Sequence, residues 1–274
     1  MLNLLTIVLW SFYAFEFSHA DFEFIPDSHH QQFVTFANFT GETSTFVIRN
    51  PDRAWAAVGG GLSVVGFEAW TFKTQMVIFG FANVAFHLNE KRDTVLTETI
   101  DARVGLAFES AFRSDLRASL GWHHFSGHTS DDVLDTNLVA PNLGDEVLQA
   151  RLIYDYAARF RIGLSLKAVA GSEPGMKVFA GDQFVEWFPF GTASTYGKPT
   201  PYIAVGVEEW GVNVVFPTLH VQLGAYIGNH LRPEHRSNIR LVSGYYHGVD
   251  PRLKYAQFLL SRVEFGYAGL MFDI

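Results

Sequence analysis

Residues 122–132 read Trp122-His123-His124-Phe125-Ser126-Gly127-His128-Thr129-Ser130-Asp131-Asp132, a stretch that gathers imidazoles, hydroxyls and carboxylates. If a β-strand continues through it, His124, Ser126 and His128 share one face, because side chains along a strand alternate sides. A histidine beside a serine hydroxyl, with an acid to orient the ring, is the minimal apparatus for nucleophilic hydrolysis. Asp131, Asp132 or Glu146 could supply that acid. Two histidines and two aspartates could equally hold a divalent cation, which leaves a metal site open. A third reading needs no reaction. His123, His124, Ser126, His128, Asp131 and Asp132 would form a hydrogen-bonded cluster tying a strand end to its loop. Trp122 would then sit at a membrane interface, where amphipathic aromatics collect. Short motifs recur by chance, so the structural network is the first expectation and the other two stand beside it.

What must position these residues is a set of strands. In Thr99–Glu109 one face is Thr99, Asp101, Arg103, Gly105, Ala107 and Glu109, and the other is Ile100, Ala102, Val104, Leu106 and Phe108. The next segment sets Leu116, Ala118, Leu120 and Trp122 against Arg117, Ser119, Gly121 and His123. A third sets Leu148, Ala150, Leu152, Tyr154 and Tyr156 against Gln149, Arg151, Ile153 and Asp155. A fourth sets Phe160, Ile162, Leu164, Leu166 and Ala168 against Arg161, Gly163, Ser165 and Lys167. Only Ala157-Ala158-Arg159 separates the last two, which makes them a hairpin. Repeated alternation of apolar-out and polar-in is the pattern of a closed antiparallel transmembrane β-barrel. About twelve strands fit the chain, and single-chain bacterial barrels have even numbers.

The charges on the polar faces, Asp101, Arg103, Glu109, Arg117, Arg151, Asp155, Arg161 and Lys167, would then point into a lumen. They would line a narrow pore or pair across the interior and close it, and pairing is favoured because charges away from water survive by pairing. Thr74–Leu88 is apolar on both faces, so its inner face must meet something apolar. In the second half, Lys177–Asp182, Pro201–Glu209, Leu219–Ile227, Ile239–His247 and Val263–Phe272 are candidate strands of less regular pattern.

Bulk composition agrees. Hydrophobic residues make up 48% of the 274, aromatics 15% and charged residues 18%. That is too apolar for a disordered chain, yet the long apolar runs of a helical membrane bundle are missing. A formal charge of −8 argues against nucleic-acid partners. The absence of cysteine excludes thiol chemistry and disulfides, and no cofactor motif is visible. Residues 1–20 resemble a secretory signal peptide, with an apolar run and small residues before a break after Ala20. Residues 21–52 are expected as an N-terminal extension with a short strand around Phe33–Phe39, and residues 53–274 as the barrel. Short turns at one strand end and the long 129–144 loop at the other match the periplasmic and extracellular ends of outer-membrane barrels.

The His-x-Ser-x-His-x-x-Asp run, His124-Phe125-Ser126-Gly127-His128-Thr129-Ser130-Asp131, resembles a segment of an uncharacterised bacterial outer-membrane family of unknown function. Phe24-Ile25-Pro26-Asp27, Gly59-Gly60-Gly61, Asp101-Ala102-Arg103-Val104-Gly105 and Tyr245-Tyr246-His247-Gly248-Val249-Asp250-Pro251 resemble its other motifs in order. This sequence departs at Thr129-Ser130-Asp131-Asp132 and in ending on Ile274. The resemblance implies a barrel in the bacterial outer membrane and no particular chemistry, so the leading expectation is an integral barrel of unassigned activity, a small pore or envelope scaffold, with an outer-membrane esterase using His124 and Ser126 as the alternative. It implies outer-membrane lipids and lipopolysaccharide as neighbours. The last strand, Gly266–Ile274, resembles the signal read by the barrel-assembly machinery. His124-Phe125-Ser126 also looks like the lipid-facing His-x-Ser pair of outer-membrane lipid A deacylases, and by phase it lies on the Leu116–Trp122 face.

Overall fold

The computed structural model describes residues 21–24, 36, 44–49, 53–69, 72–89, 94–130, 143–172, 179–191, 198–211, 215–227, 238–251 and 262–273. The strands are β1 (Asp21–Phe24), β2 (Ser44–Arg49), β3 (Arg53–Ala69), β4 (Phe72–Asn89), β5 (Thr94–Arg113), β6 (Leu116–Thr129) and β7 (Leu143–Tyr156). They continue as β8 (Phe160–Ser172), β9 (Phe179–Trp187), β10 (Thr200–Gly211), β11 (Val215–Ile227), β12 (Asn238–Val249) and β13 (Arg262–Asp273). From β3 to β13 each strand pairs antiparallel with the next, and β2 closes the ring by pairing with both β13 and β3. The result is a closed barrel of twelve strands, β2 to β13.

The alternation read from the sequence sets the two faces of the wall. Leu120, Trp122, Leu148, Leu152, Ile162, Leu164, Leu166, Leu223 and Leu241 are exposed on the outside. Arg103, Glu109, Arg117, Arg151, Asp155 and Arg161 are buried on the inside. An apolar outer wall over a polar interior inverts the arrangement of a soluble barrel and places the leucines in lipid. The inner face of β4 meets the apolar partner it required, as Val77, Phe79 and Phe81 pack with Ala107 of β5.

The stretch expected as an extension contributes to the wall. β1 pairs with residues 65–68 of β3, and β2 with residues 53–57 along the same edge and in the same direction. β1 and β2 thus flank β3 on the same side, β2 as a full member of the closed wall. Between them only Phe36 is described, so the strand expected around Phe33–Phe39 otherwise lies outside the described residues, as does the signal-peptide segment 1–20. Phe36 is a turn residue inside the lumen with no exposed surface. β2 was hard to see in the sequence because its alternation spans six residues between breakers. Where β2 starts, Ser44 Oγ donates to the Gly59 carbonyl at 2.9 Å and accepts from the Gly59 N–H at 3.0 Å, sealing the seam. Gly59 is required there, because a Cβ would collide with the Gly80 carbonyl and Phe81.

Two further expectations shift. β9 runs from Phe179 to Trp187, centred beyond Lys177–Asp182, because Phe184 and Glu186 point inward between outward Val185 and Trp187. Short turns cluster at one end only in the first half. β3–β4, β5–β6 and β7–β8 turn at one end and the 130–142 connection lies at the other, but the long connections 188–199 and 228–237 return to the short-turn end. The interior is also less uniformly charged than expected. Phe36, Phe184, Phe188, Tyr202, Tyr226, Tyr246, Phe265 and Tyr267 join one apolar cluster on the β9–β13 side.

Candidate functional site

β6 and β7 are paired in register, His124 opposite Glu146 and Ser126 opposite Gly144. Both faces of β6 keep the predicted phase, so the wall splits the expected cluster. His123 points into the lumen, and His124, Ser126 and His128 lie on the outer face with Trp122. Asp131 and Asp132 lie outside the described residues. Of the three carboxylates considered as the acid, Glu146 reaches the histidine, with Oε1 2.8 Å from His124 Nδ1. The two side chains are 37% and 38% exposed, half-covered and facing lipid. A carboxylate at Nδ1 makes that nitrogen the donor and leaves Nε2 as the acceptor, the tautomer a general base needs. Ser126 is half-buried on the same face, and among the described residues its hydroxyl has no hydrogen-bond partner. The β7–β8 register slips between Glu146 and Val147, next to this pair. Such irregularities recur where a sheet re-aims a side chain beside a functional position.

Inside the wall, His123 accepts from Arg103 Nε at 3.0 Å, and its ring lies 4.9 Å from that of Phe79. The Arg103 guanidinium lies over the Phe79 and Phe125 rings at 5.2 and 5.1 Å. His123 therefore belongs to a lumenal stack and is separated by the wall from His124. Among the described residues no three metal-ligating side chains converge.

The predicted lumenal charges are brought together in pairs and chains. Arg117 bonds Asp155, Arg161 Nε donates to Asp155 at 3.1 Å, and Arg161 reaches Glu186 at 3.7 Å. Lys167 sits between Asp182 at 3.0 Å and Glu208 at 2.6 Å. Arg151 donates to Ser165 at 3.1 Å, and Ser165 donates to Asp182 at 2.7 Å. Glu109 accepts from Gln75 at 2.8 Å. Asp101 is buried on the same face. A small cavity of about 30 Å³ lies beside Arg103, Glu109, His123, Gln149 and Arg151, room for a few waters.

Asp182 and Glu186 carry no motif that marks them in the sequence, nor does the fully buried Arg240–Asp273 pair at 2.7 Å. Their signal was present as inward phase in β9 to β13, but it was diluted there by inward aromatics. Tyr202 donates to Gln222 at 2.5 Å, and Gln222 donates to Tyr267 at 2.9 Å. Phe36 was equally illegible. Its N–H donates to Glu186 at 2.5 Å, its ring lies 4.6 Å from Tyr202 and 5.7 Å from Tyr226, and the Arg240 guanidinium is 4.3 Å from its centre.

No family model and no curated protein matches the chain, so the family resemblance rests on its short motifs. Solved structures do match. The outer membrane phospholipase of Salmonella typhi, a dimer with bound calcium, aligns over 90% of this chain and 98% of its own, at 12% identity and a TM-score of 0.55. An active-site mutant of outer membrane phospholipase A from Escherichia coli aligns over 89% of this chain and 95% of its own, at 11% identity and a TM-score of 0.54. At such identity the likeness is one of fold. A closed barrel of twelve strands, lipid-facing leucines and a polar interior together make this chain a β-barrel of the bacterial outer membrane.

Proposed function

We propose that this barrel is an outer-membrane acyl hydrolase that cleaves lipid ester bonds at its lipid-facing surface, with Ser126 as nucleophile, His124 as base and Glu146 as the orienting acid. One observation carries the reading: the 2.8 Å contact of His124 Nδ1 with Glu146 on the outer face, with Ser126 on that same face of β6. A hydrogen bond of this kind is what a histidine base needs in order to present Nε2. His124 Nε2 takes the Ser126 proton as Oγ attacks the acyl carbonyl. The bond from the acyl carbon to the lipid alcohol breaks, and the departing oxygen receives that proton. Water, deprotonated by the same nitrogen, then releases the fatty acid and restores Ser126. The Ser126–His124 hydrogen bond belongs to the substrate complex, since such bonds often form only there.

The outer membrane phospholipases that share the fold act on lipids, and the lipid A deacylase resemblance of His124-Phe125-Ser126 adds lipopolysaccharide as a substrate class. Ser126 and His124 lie near the end opposite the β3–β4, β5–β6 and β7–β8 turns, which is the outer-leaflet end, where lipopolysaccharide is found, when those turns face the periplasm. The last strand supports biogenesis through the barrel-assembly machinery. The pore reading has against it the lumenal charge pairs and the apolar cluster, which project into the interior. The test is incubation of the refolded barrel with lipopolysaccharide and with phospholipid, reading acyl loss by mass spectrometry. Release that disappears in Ser126→Ala supports the enzyme. No release from either substrate returns the barrel to the role of an envelope scaffold.

A further inference from the structure

Resting on that reading, we infer that Gly144 and the Trp122–Leu148 pair set the substrate range. Gly144 keeps the approach to Ser126 open, and Trp122 with Leu148 seats a long unbranched acyl chain. Ser126 lies in the wall between Ala102 of β5 and Gly144 of β7. Ala102 has only a methyl group to offer. At Gly144 a Cβ would meet, among the described residues, one atom within 4 Å, His124 Cε1 at 3.8 Å. Among the described residues the position beside Ser126 on the β7 side is thus floored by backbone and carries no side chain, and it borders the imidazole between its two nitrogens. Larger side chains here would stand between Ser126 and an incoming ester.

The next outward cross-strand pair toward the middle of the barrel is Trp122 opposite Leu148, one step beyond His124–Glu146. Both are exposed, at 41% and 49%. After them comes Leu120 opposite Ala150, where the β7 side is again low. The outer face of β6 and β7 therefore offers a notch at Ser126 and, past the His124–Glu146 pair, an apolar track running toward the membrane core. An ester whose carbonyl sits in the notch has its alkyl chain laid over Trp122 and Leu148. Short acyl chains forgo that contact, and each methylene in an apolar seat changes discrimination by a modest, cumulative factor.

The experiment uses the full-length barrel refolded in detergent micelles, with butyryl and palmitoyl p-nitrophenyl esters as substrates and an alkyl fluorophosphonate as a covalent probe of Ser126. Folding of each variant is checked by its unheated gel migration. Gly144→Leu should lower the rate of Ser126 labelling on the order of 10-fold or more, and Gly144→Ala by a smaller factor, since its methyl makes only ordinary contact. Trp122→Ala should leave butyryl hydrolysis the less affected and lower the palmitoyl-to-butyryl ratio of kcat/KM on the order of 10-fold, mainly through KM. Folded Gly144→Leu that labels as fast as the unsubstituted barrel, or an unmoved chain-length ratio in Trp122→Ala, overturns the inference while leaving hydrolysis at Ser126 intact. If the unsubstituted barrel takes no label at Ser126 and releases no fatty acid, the hydrolase reading falls and this inference falls with it.

Discussion

Glu146 is the residue whose substitution most directly separates catalysis from architecture. Glu146→Gln keeps the size and the outward position but presents an amide to His124 Nδ1. An amide neither stabilises the imidazolium nor enforces the tautomer, and the comparable change in a serine hydrolase costs about 10⁴-fold in kcat. We expect a loss of roughly 10²–10⁴-fold in ester hydrolysis by a barrel that still folds, read by steady-state kinetics beside unheated gel migration. The lumenal carboxylates should behave in the opposite way. Arg240 and Asp273 are fully buried and bonded at 2.7 Å. Asp273→Ala would strand a buried guanidinium and should cost about 3–5 kcal/mol, whereas replacing both residues by apolar ones should recover much of that loss. Urea unfolding in micelles measures both, and hydrolysis by the folded fraction should be unaffected.

The β7–β8 hairpin shows how an element can keep its register without the usual turn residues. Arg159 N–H donates to the Tyr156 carbonyl at 3.1 Å, and the central residues Ala157 and Ala158 have φ of 52° and 51°. This primed turn matches the strand twist but is normally built from Asn or Gly, because a Cβ is strained at positive φ. The register holds through the flanking ladder from Tyr156↔Phe160 to Val147↔Val169, while the Asp155 N–H donating to the Asp115 carbonyl at 2.8 Å ties the same strand end to the β5–β6 turn. Ala158→Gly relieves about 1–2 kcal/mol of strain and adds unfolded-state freedom worth roughly 0.5–1 kcal/mol. The expected outcome is a net gain of about 0.5–1 kcal/mol in the unfolding titration. In the β6–β7 pair the same ladder logic brings His124 to Glu146. Their partnership follows from register and is invisible in their separation along the chain.

For the whole molecule, Phe36 links the N-terminal stretch to the lumen. Its ring is enclosed by Phe188, Tyr202, Tyr226 and Arg240, and its N–H donates to Oε1 of the buried Glu186. Phe36→Ala should destabilise the barrel by about 3–5 kcal/mol, the cost of removing a buried phenyl ring from a packed interior. The temperature at which the unheated gel form converts to the heated one should fall accordingly, with Phe36→Leu lying between the two. With charges paired on one side of the lumen and aromatics packed on the other, planar-bilayer recordings should show no steady conductance. A stable open channel would contradict the packing.

The sequence alone determined the wall. Period-two alternation in Thr99–Glu109 and the three strands after it reports which side of a sheet each residue occupies, so an all-β barrel with lipid outside and charge inside was legible residue by residue. The hairpin at 157–159 was legible because so few residues can connect two strands in only one way. Only the tertiary structure decided which residues meet. His123 and His124 are adjacent in the chain and lie on opposite sides of the wall, while Glu146 joins His124 through the β6–β7 register. The Arg161–Glu186 contact, the Arg240–Asp273 pair and the seat of Phe36 depend on strand shear and on closure of the ring. Alternation is a local property of the backbone, whereas partnership across a barrel is set by how far each strand slides against the next, and no single segment carries that information.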